Sequence, residues 1–106
     1  MHYTMKPITP GEILFEDYMK PLELSQNGLG RELGVSPRAI NEIVHGKRSI
    51  TAAMSIRLGA FFSQSPRFWL NIQTECDLRK ALRKKTALVR GIQPLRAVAE
   101  LSGDYG

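Results

Sequence analysis

The 106-residue sequence holds one cysteine, Cys76, and two histidines, His2 and His45. A lone cysteine closes no internal disulfide, and the three residues make no set at metal-ligand spacing. A buried side chain is the expectation for Cys76. No apolar run approaches the roughly 20 residues of a membrane span, and the N-terminus lacks a basic stretch leading to an apolar core and cleavage site. A cytoplasmic protein that makes no use of a membrane is therefore expected. Internal repeats and low-complexity tracts are absent too, and no strand is needed to explain the pattern. Paired carboxylates, a nucleophile beside a base and strips of stacking aromatics are all missing, which argues against an enzyme and against a small nuclease or RNA-binding protein. No cofactor is implied.

What is present suits one folded domain: 42% hydrophobic and 24% charged residues over a length able to bury its own core. The formal charge of +5 is unevenly spread. Residues 1–76 hold eight Lys/Arg against seven Asp/Glu, whereas residues 77–106 hold seven against three. That balance favours a phosphate partner, with a solvated basic face as the competing reading.

The apolar spacing predicts an all-α fold. Pro7 and Pro10 read as an extended arm with a turn into a first helix near Gly11, whose Leu14, Tyr18 and Leu22 share a face, with Glu12, Glu16 and Asp17 turned to water until Pro21. Ser25 caps a second helix with Leu29 and Leu33 buried and Gly34 at its end. Gly30 within it permits a close approach by a neighbouring helix. Ser36 caps a third, with Pro37 at its first position, Ile40, Ile43 and Val44 inward, and Gly46 closing it. Thr51 caps a fourth carrying Met54, Leu58, Phe61 and Phe62, and Ser65-Pro66 opens a fifth through Phe68, Trp69, Ile72 and Cys76, with the two aromatics read as core. Beyond Asp77, a thin stripe of Leu78, Ala81 and Leu82 among basic residues either continues the helix or frays, as an extended basic helix or tail, with Gly91, Pro94 and Gly103 marking a loose end.

The informative stretch is Ser25 to Ile50, SQNGLGRELGVSPRAINEIVHGKRSI, in which two short capped helices meet across Leu33-Gly34-Val35-Ser36. That is a helix-turn-helix arrangement. Over residues 11 to about 78 the sequence resembles the XRE (Cro/CI-type) superfamily, which implies a five-helix domain whose third helix enters the DNA major groove. Within it, the chain is similar to the HigA and VapI-like antitoxins. The likeness is carried by Pro10-Gly11-Glu12-Ile13-Leu14, by Gly46-Lys47-Arg48-Ser49-Ile50, and by Ser65-Pro66-Arg67-Phe68-Trp69-Leu70-Asn71-Ile72-Gln73. It departs where Gly30 and Ser55 stand in place of the usual Ala, Ser63 in place of Gly, and Cys76 in place of Tyr.

The resemblance implies a homodimer on palindromic operator DNA that represses its own promoter and neutralises a small HigB-type ribonuclease toxin. An orphan or phage-type repressor without a toxin, and a protein-binding scaffold that has lost DNA affinity, are the alternatives. At the exposed start of the third helix, Ser36, Pro37, Arg38, Asn41 and Glu42 are the candidate base contacts. Arg38 can donate to guanine O6 and N7, or touch only phosphate or solvent. Asn41 pairs with adenine or ties the helix to the following turn. Glu42 accepts from cytosine, pairs with Arg38 one turn back, or is solvated. Gln26, at the start of the second helix, and Lys47, Arg48 and Ser49, after the third, are the candidate phosphate contacts. His45 reads as a turn residue. The chain thus divides into an arm (1–10), a helix-turn-helix domain (11–78) and a basic extension (79–106) whose partner is toxin, DNA or neither.

Overall fold

In the computed structural model, which describes residues 8–95, the chain enters its first helix through a reciprocal cap. Thr9 Oγ1 accepts from the backbone N–H of Glu12 at 3.1 Å, and Glu12 Oε1 accepts from the backbone N–H of Thr9 at 3.0 Å. This capping box, with Pro10 at the first helical position, begins α1 (Pro10–Ile13). Glu12 is exposed, as its spacing suggests, but its carboxylate is engaged in the cap. Residues 1–7 of the expected arm, with His2 and Pro7, lie outside the described residues, as do residues 96–106 with Gly103.

The helix does not continue in register. Leu14–Met19 forms a π-helical segment whose wider turn is closed by Lys20 N–H donating to the Phe15 carbonyl at 2.9 Å. A five-residue turn carries Met19 onto the side of Leu14, and both are buried. This corrects the expected Leu14–Tyr18–Leu22 face. Tyr18 is half-buried among aromatic rings, and Leu22 is exposed.

Ser25 caps α2 (Gln26–Leu33), its Oγ accepting from Gly28 N–H at 2.9 Å, and Ser36 caps α3 (Pro37–Val44), its Oγ accepting from Ala39 N–H at 3.1 Å. Thr51 does the same for α4 (Ala52–Phe62). Four helix ends close alike, through a residue in the left-handed region and an N–H reaching back five residues: Leu24 to Met19, Val35 to Gly30, Lys47 to Glu42 and Gln64 to Gly59. Glycine occupies the left-handed position at Gly34 and Gly46, while Glu23 and Ser63 hold it at the other two. The close approach expected at Gly30 is made by the turn between α2 and α3: a methyl there would stand 2.8 Å from the Val35 carbonyl oxygen.

The start of α5 (Phe68–Leu82) has no side-chain cap of its own. Ser55, fully buried on α4, supplies one. Its Oγ accepts from Leu70 N–H at 3.0 Å and donates to the Pro66 carbonyl at 2.6 Å. Between the two helices, Gln64 bridges aromatic groups, accepting from Trp69 Nε1 at 2.7 Å and donating to the Tyr18 hydroxyl at 2.8 Å. The buried Gln73 accepts from Ile50 N–H and donates to Asp77, pinning the loop after α3 to α5.

These contacts enclose one core of Leu14, Met19, Leu29, Leu33, Ile40, Ile43, Ile50, Met54, Leu58 and Trp69. Tyr18, Val44, Phe62 and Ile72 pack half-buried on its rim, and Cys76 is buried. Phe61 and Phe68, expected inside, are each 37% exposed and lie edge-on against Phe62 and Trp69. They flank the inward-facing ring in each case, so the helix has turned them outward. Beyond Cys76, α5 continues to Leu82 and a short α6 follows (Lys85–Val89), with every residue from 77 to 95 exposed. The described residues are all-helical, and no helix among them is long and apolar enough to cross a membrane.

Candidate nucleic-acid interface

Helix α3 is held from beneath and left bare on top. Its inner face, Ala39, Ile40 and Ile43, is buried against α2 and α1, while Ser36, Pro37 and Arg38 at its start are exposed. Arg57 on α4 secures the preceding turn by donating from Nη1 to the Leu33 carbonyl at 2.6 Å.

Two clusters organise the sequence-derived candidates. In the first, the Glu42 carboxylate holds two arginines, one per oxygen. Arg38 Nε donates to Oε2 at 3.1 Å, and Arg48 donates from Nε and Nη2 to Oε1 at 2.9 and 2.6 Å. The Glu42 carbonyl also accepts the backbone N–H groups of Lys47 and Arg48, so the loop after α3 is folded back on the helix. The hydrogen bonds from Arg48, and then those from Arg38, hold the Glu42 carboxyl below its ordinary value of 4.5. Of the readings open to Glu42 in the sequence, the structure forms the pairing with Arg38 and adds Arg48. The latter pair, six residues apart, matches no helical spacing rule.

In the second cluster, Asn41 Nδ2 donates to Gln26 Oε1 at 3.3 Å, linking the middle of α3 to the start of α2. Both side chains are half-buried. The Asn41 carbonyl lies 2.9 Å from His45 Nδ1, so His45 serves as a turn residue at the end of α3. Lys47 and Ser49 are exposed on the loop, beside Arg48. The Ser36 hydroxyl is occupied as a cap acceptor but keeps its proton to donate. Among the described residues no group of three or more His, Cys, Asp or Glu could hold a metal ion.

The result is a projecting helix start with Arg38 at its tip, its side chain 85% exposed, and a cationic loop alongside. Such an arrangement can present a planar guanidinium to a base edge while neighbouring cations and N–H groups meet phosphate.

Comparison with known proteins agrees with this geometry. The helix-turn-helix family HTH_3 matches residues 15–69. Virulence-associated protein I of Dichelobacter nodosus is 46% identical over 84 residues, covering 79% of this chain and 78% of the relative. Among solved structures, the Pseudomonas aeruginosa antitoxin HigA with the higBA promoter superposes with a TM-score of 0.79 at 40% identity, covering 85% of this chain and 99% of that one. Antitoxin GraA in complex with its operator superposes with a TM-score of 0.79 at 36% identity, covering 90% and 97%. The chain therefore belongs to the HTH_3 helix-turn-helix family, and within it to the HigA and VapI-like group of regulators and antitoxins rather than to any family of enzymes.

Proposed function

We propose that the protein is a cytoplasmic, sequence-specific autorepressor and antitoxin that binds a palindromic operator as a homodimer and neutralises a HigB-type ribonuclease toxin. The observation that carries the DNA-binding half is the exposed Arg38 at the start of α3, flanked by Lys47 and Arg48, on a fold shared with relatives solved on promoter and operator DNA. In this reading residues 11–78 form the DNA-binding unit, with residues 79–106 as a basic extension. Ser36, Pro37, Arg38 and Asn41 face the base edges from the start of α3, while Gln26, Lys47, Arg48 and Ser49 hold phosphate. One short helix reads too few bases for strong specificity, so two copies would occupy half-sites about 10 bp, or ~34 Å, apart.

Toxin capture rests on family membership and on the coverage of nearly the whole HigA chain. The test is titration of the purified protein against the DNA upstream of its own gene and against a scrambled duplex, at several salt concentrations, followed by co-purification with the product of a neighbouring toxin-sized reading frame. Preferential, salt-sensitive binding as a dimer and a stable toxin complex are the expected results. Equal binding to both duplexes would overturn the repressor reading, and failure to retain the toxin would reduce the protein to a repressor alone.

A further inference from the structure

We propose that Glu42 sets how strongly this surface prefers its operator over other DNA, by holding Arg38 in the direction that reads a base and by withholding both Arg38 and Arg48 from non-cognate phosphate. The inference rests on the DNA-binding reading above and gives Glu42 a positioning role in place of the direct base contact its location also allows.

The geometry has three parts. Arg38 is tethered through Nε alone, leaving Nη1 and Nη2, the outer pair that a guanine O6/N7 edge accepts. A guanidinium held at Nε has fewer orientations open to it, so less side-chain freedom is lost when the outer nitrogens engage. Glu42 itself is set back from the tip, its side chain 23% exposed against 85% for Arg38, which places the carboxylate behind the guanidinium rather than in front of it. Finally, Arg48 comes from outside the helix and closes on the other carboxylate oxygen, so a single anion governs a base-reading cation and a backbone-seeking one.

On random DNA, arginines gain by reaching phosphate and releasing counterions. Here that gain is opposed by the attraction to Glu42. On the operator, Arg38 keeps its tether and still offers two donors. Removing the carboxylate charge frees two cations for phosphate, so non-specific binding rises while discrimination falls. A base-reading glutamate behaves differently: its loss relaxes its own base pair and not the one read by Arg38.

The experiment uses the full chain and its Glu42→Gln variant, which keeps the size and one acceptor but not the charge. Affinity for the duplex upstream of the gene, for a scrambled duplex and for single-base variants of the former is measured between 50 and 200 mM salt. The variant is expected to bind the scrambled duplex with a log–log salt slope steeper by ~1.8, corresponding to two further phosphates and about a tenfold larger fall in affinity across that range. Glu42→Gln and Arg38→Ala should relax the same base pair, and combining them should relax it no further. Arg48→Ala leaves the Arg38–Glu42 pair in place, so Glu42→Gln on that background should steepen the scrambled-duplex slope by only ~0.9; Glu42→Ala, which also removes the carboxylate, repeats the test should the Gln variant fold poorly. Relaxation at a base pair other than that of Arg38 would make Glu42 a direct reader and overturn the proposal, as would unchanged behaviour on both duplexes. A parent protein that does not prefer its own upstream duplex would instead remove the DNA-binding reading itself.

Discussion

Gly11 in α1 lies so close to Ile43 in α3 that a methyl group on Gly11 would overlap the Ile43 carbonyl oxygen. The contact is backbone against backbone, with no flexible side chain to yield. It sets the separation of the first helix from the helix that carries Arg38, and so helps fix how far α3 stands above the core.

Gly11→Ala should therefore destabilise the domain by about 3 kcal/mol, the upper end of what overpacking a tight contact costs. Urea denaturation followed by circular dichroism measures it. A midpoint within error of the parent would show that α1 can shift without penalty.

The two helix ends that hold the left-handed conformation without glycine offer a gain. Ser63→Gly should stabilise by about 1 kcal/mol, since an L-residue with a side chain pays a steric penalty there that glycine avoids. Glu23→Gly should act in the same direction for the same reason. A rise of roughly 4–8 °C in Tm is expected for each such kcal/mol. A fall in Tm for Ser63→Gly would mean that glycine's greater freedom in the unfolded chain outweighs the relieved strain.

Arg38 and Lys47 are expected to separate by readout. Arg38→Ala should lose ~1–3 kcal/mol of discrimination at one base pair, whereas Lys47→Ala should weaken all duplexes alike and flatten the salt slope by about one unit. Competition binding against single-base operator variants distinguishes the two, and equal behaviour of the two variants would contradict the assigned roles.

Glu42 carries a pH signature. Its carboxyl is held below 4.5, so the ion-paired form persists above the ordinary carboxylate range and is lost only as pH falls through the lowered midpoint. Carboxyl-carbon NMR titration should place the Glu42 midpoint under 4.5. Arg48→Ala should raise it more than Arg38→Ala does, because the Arg48 hydrogen bonds are the larger cause. The reverse order would show that the loop arginine is the weaker partner.

Much of the architecture was readable because its signals are local. Ser25, Ser36 and Thr51 each stand three residues before the N–H they cap, and Gly34 and Gly46 end helices whatever lies around them. The Thr9–Glu12 capping box is equally local, in a Thr-Pro-Gly-Glu run, but Pro10 also suits the end of an extended arm, which hides it. Regular spacing alone points Leu22 and Phe61 inward. The π-helical turn shifted the register for the first, and for the second the neighbouring Phe62 packed inward against Tyr18 and Trp69.

By itself, then, the sequence determined helices α2 to α5, the turn between α2 and α3, and the outward position of Arg38, since caps, glycine turns and apolar periodicity act within a few residues. Tertiary structure decided which side chains meet: Glu42 with Arg48, Asn41 with Gln26, Ser55 with the start of α5, and Gly11 with Ile43. Each of these depends on the path of the backbone between elements. Spacing along the chain does not encode that path, because it is fixed only when the shared core closes around Leu14, Ile40, Leu58 and Trp69.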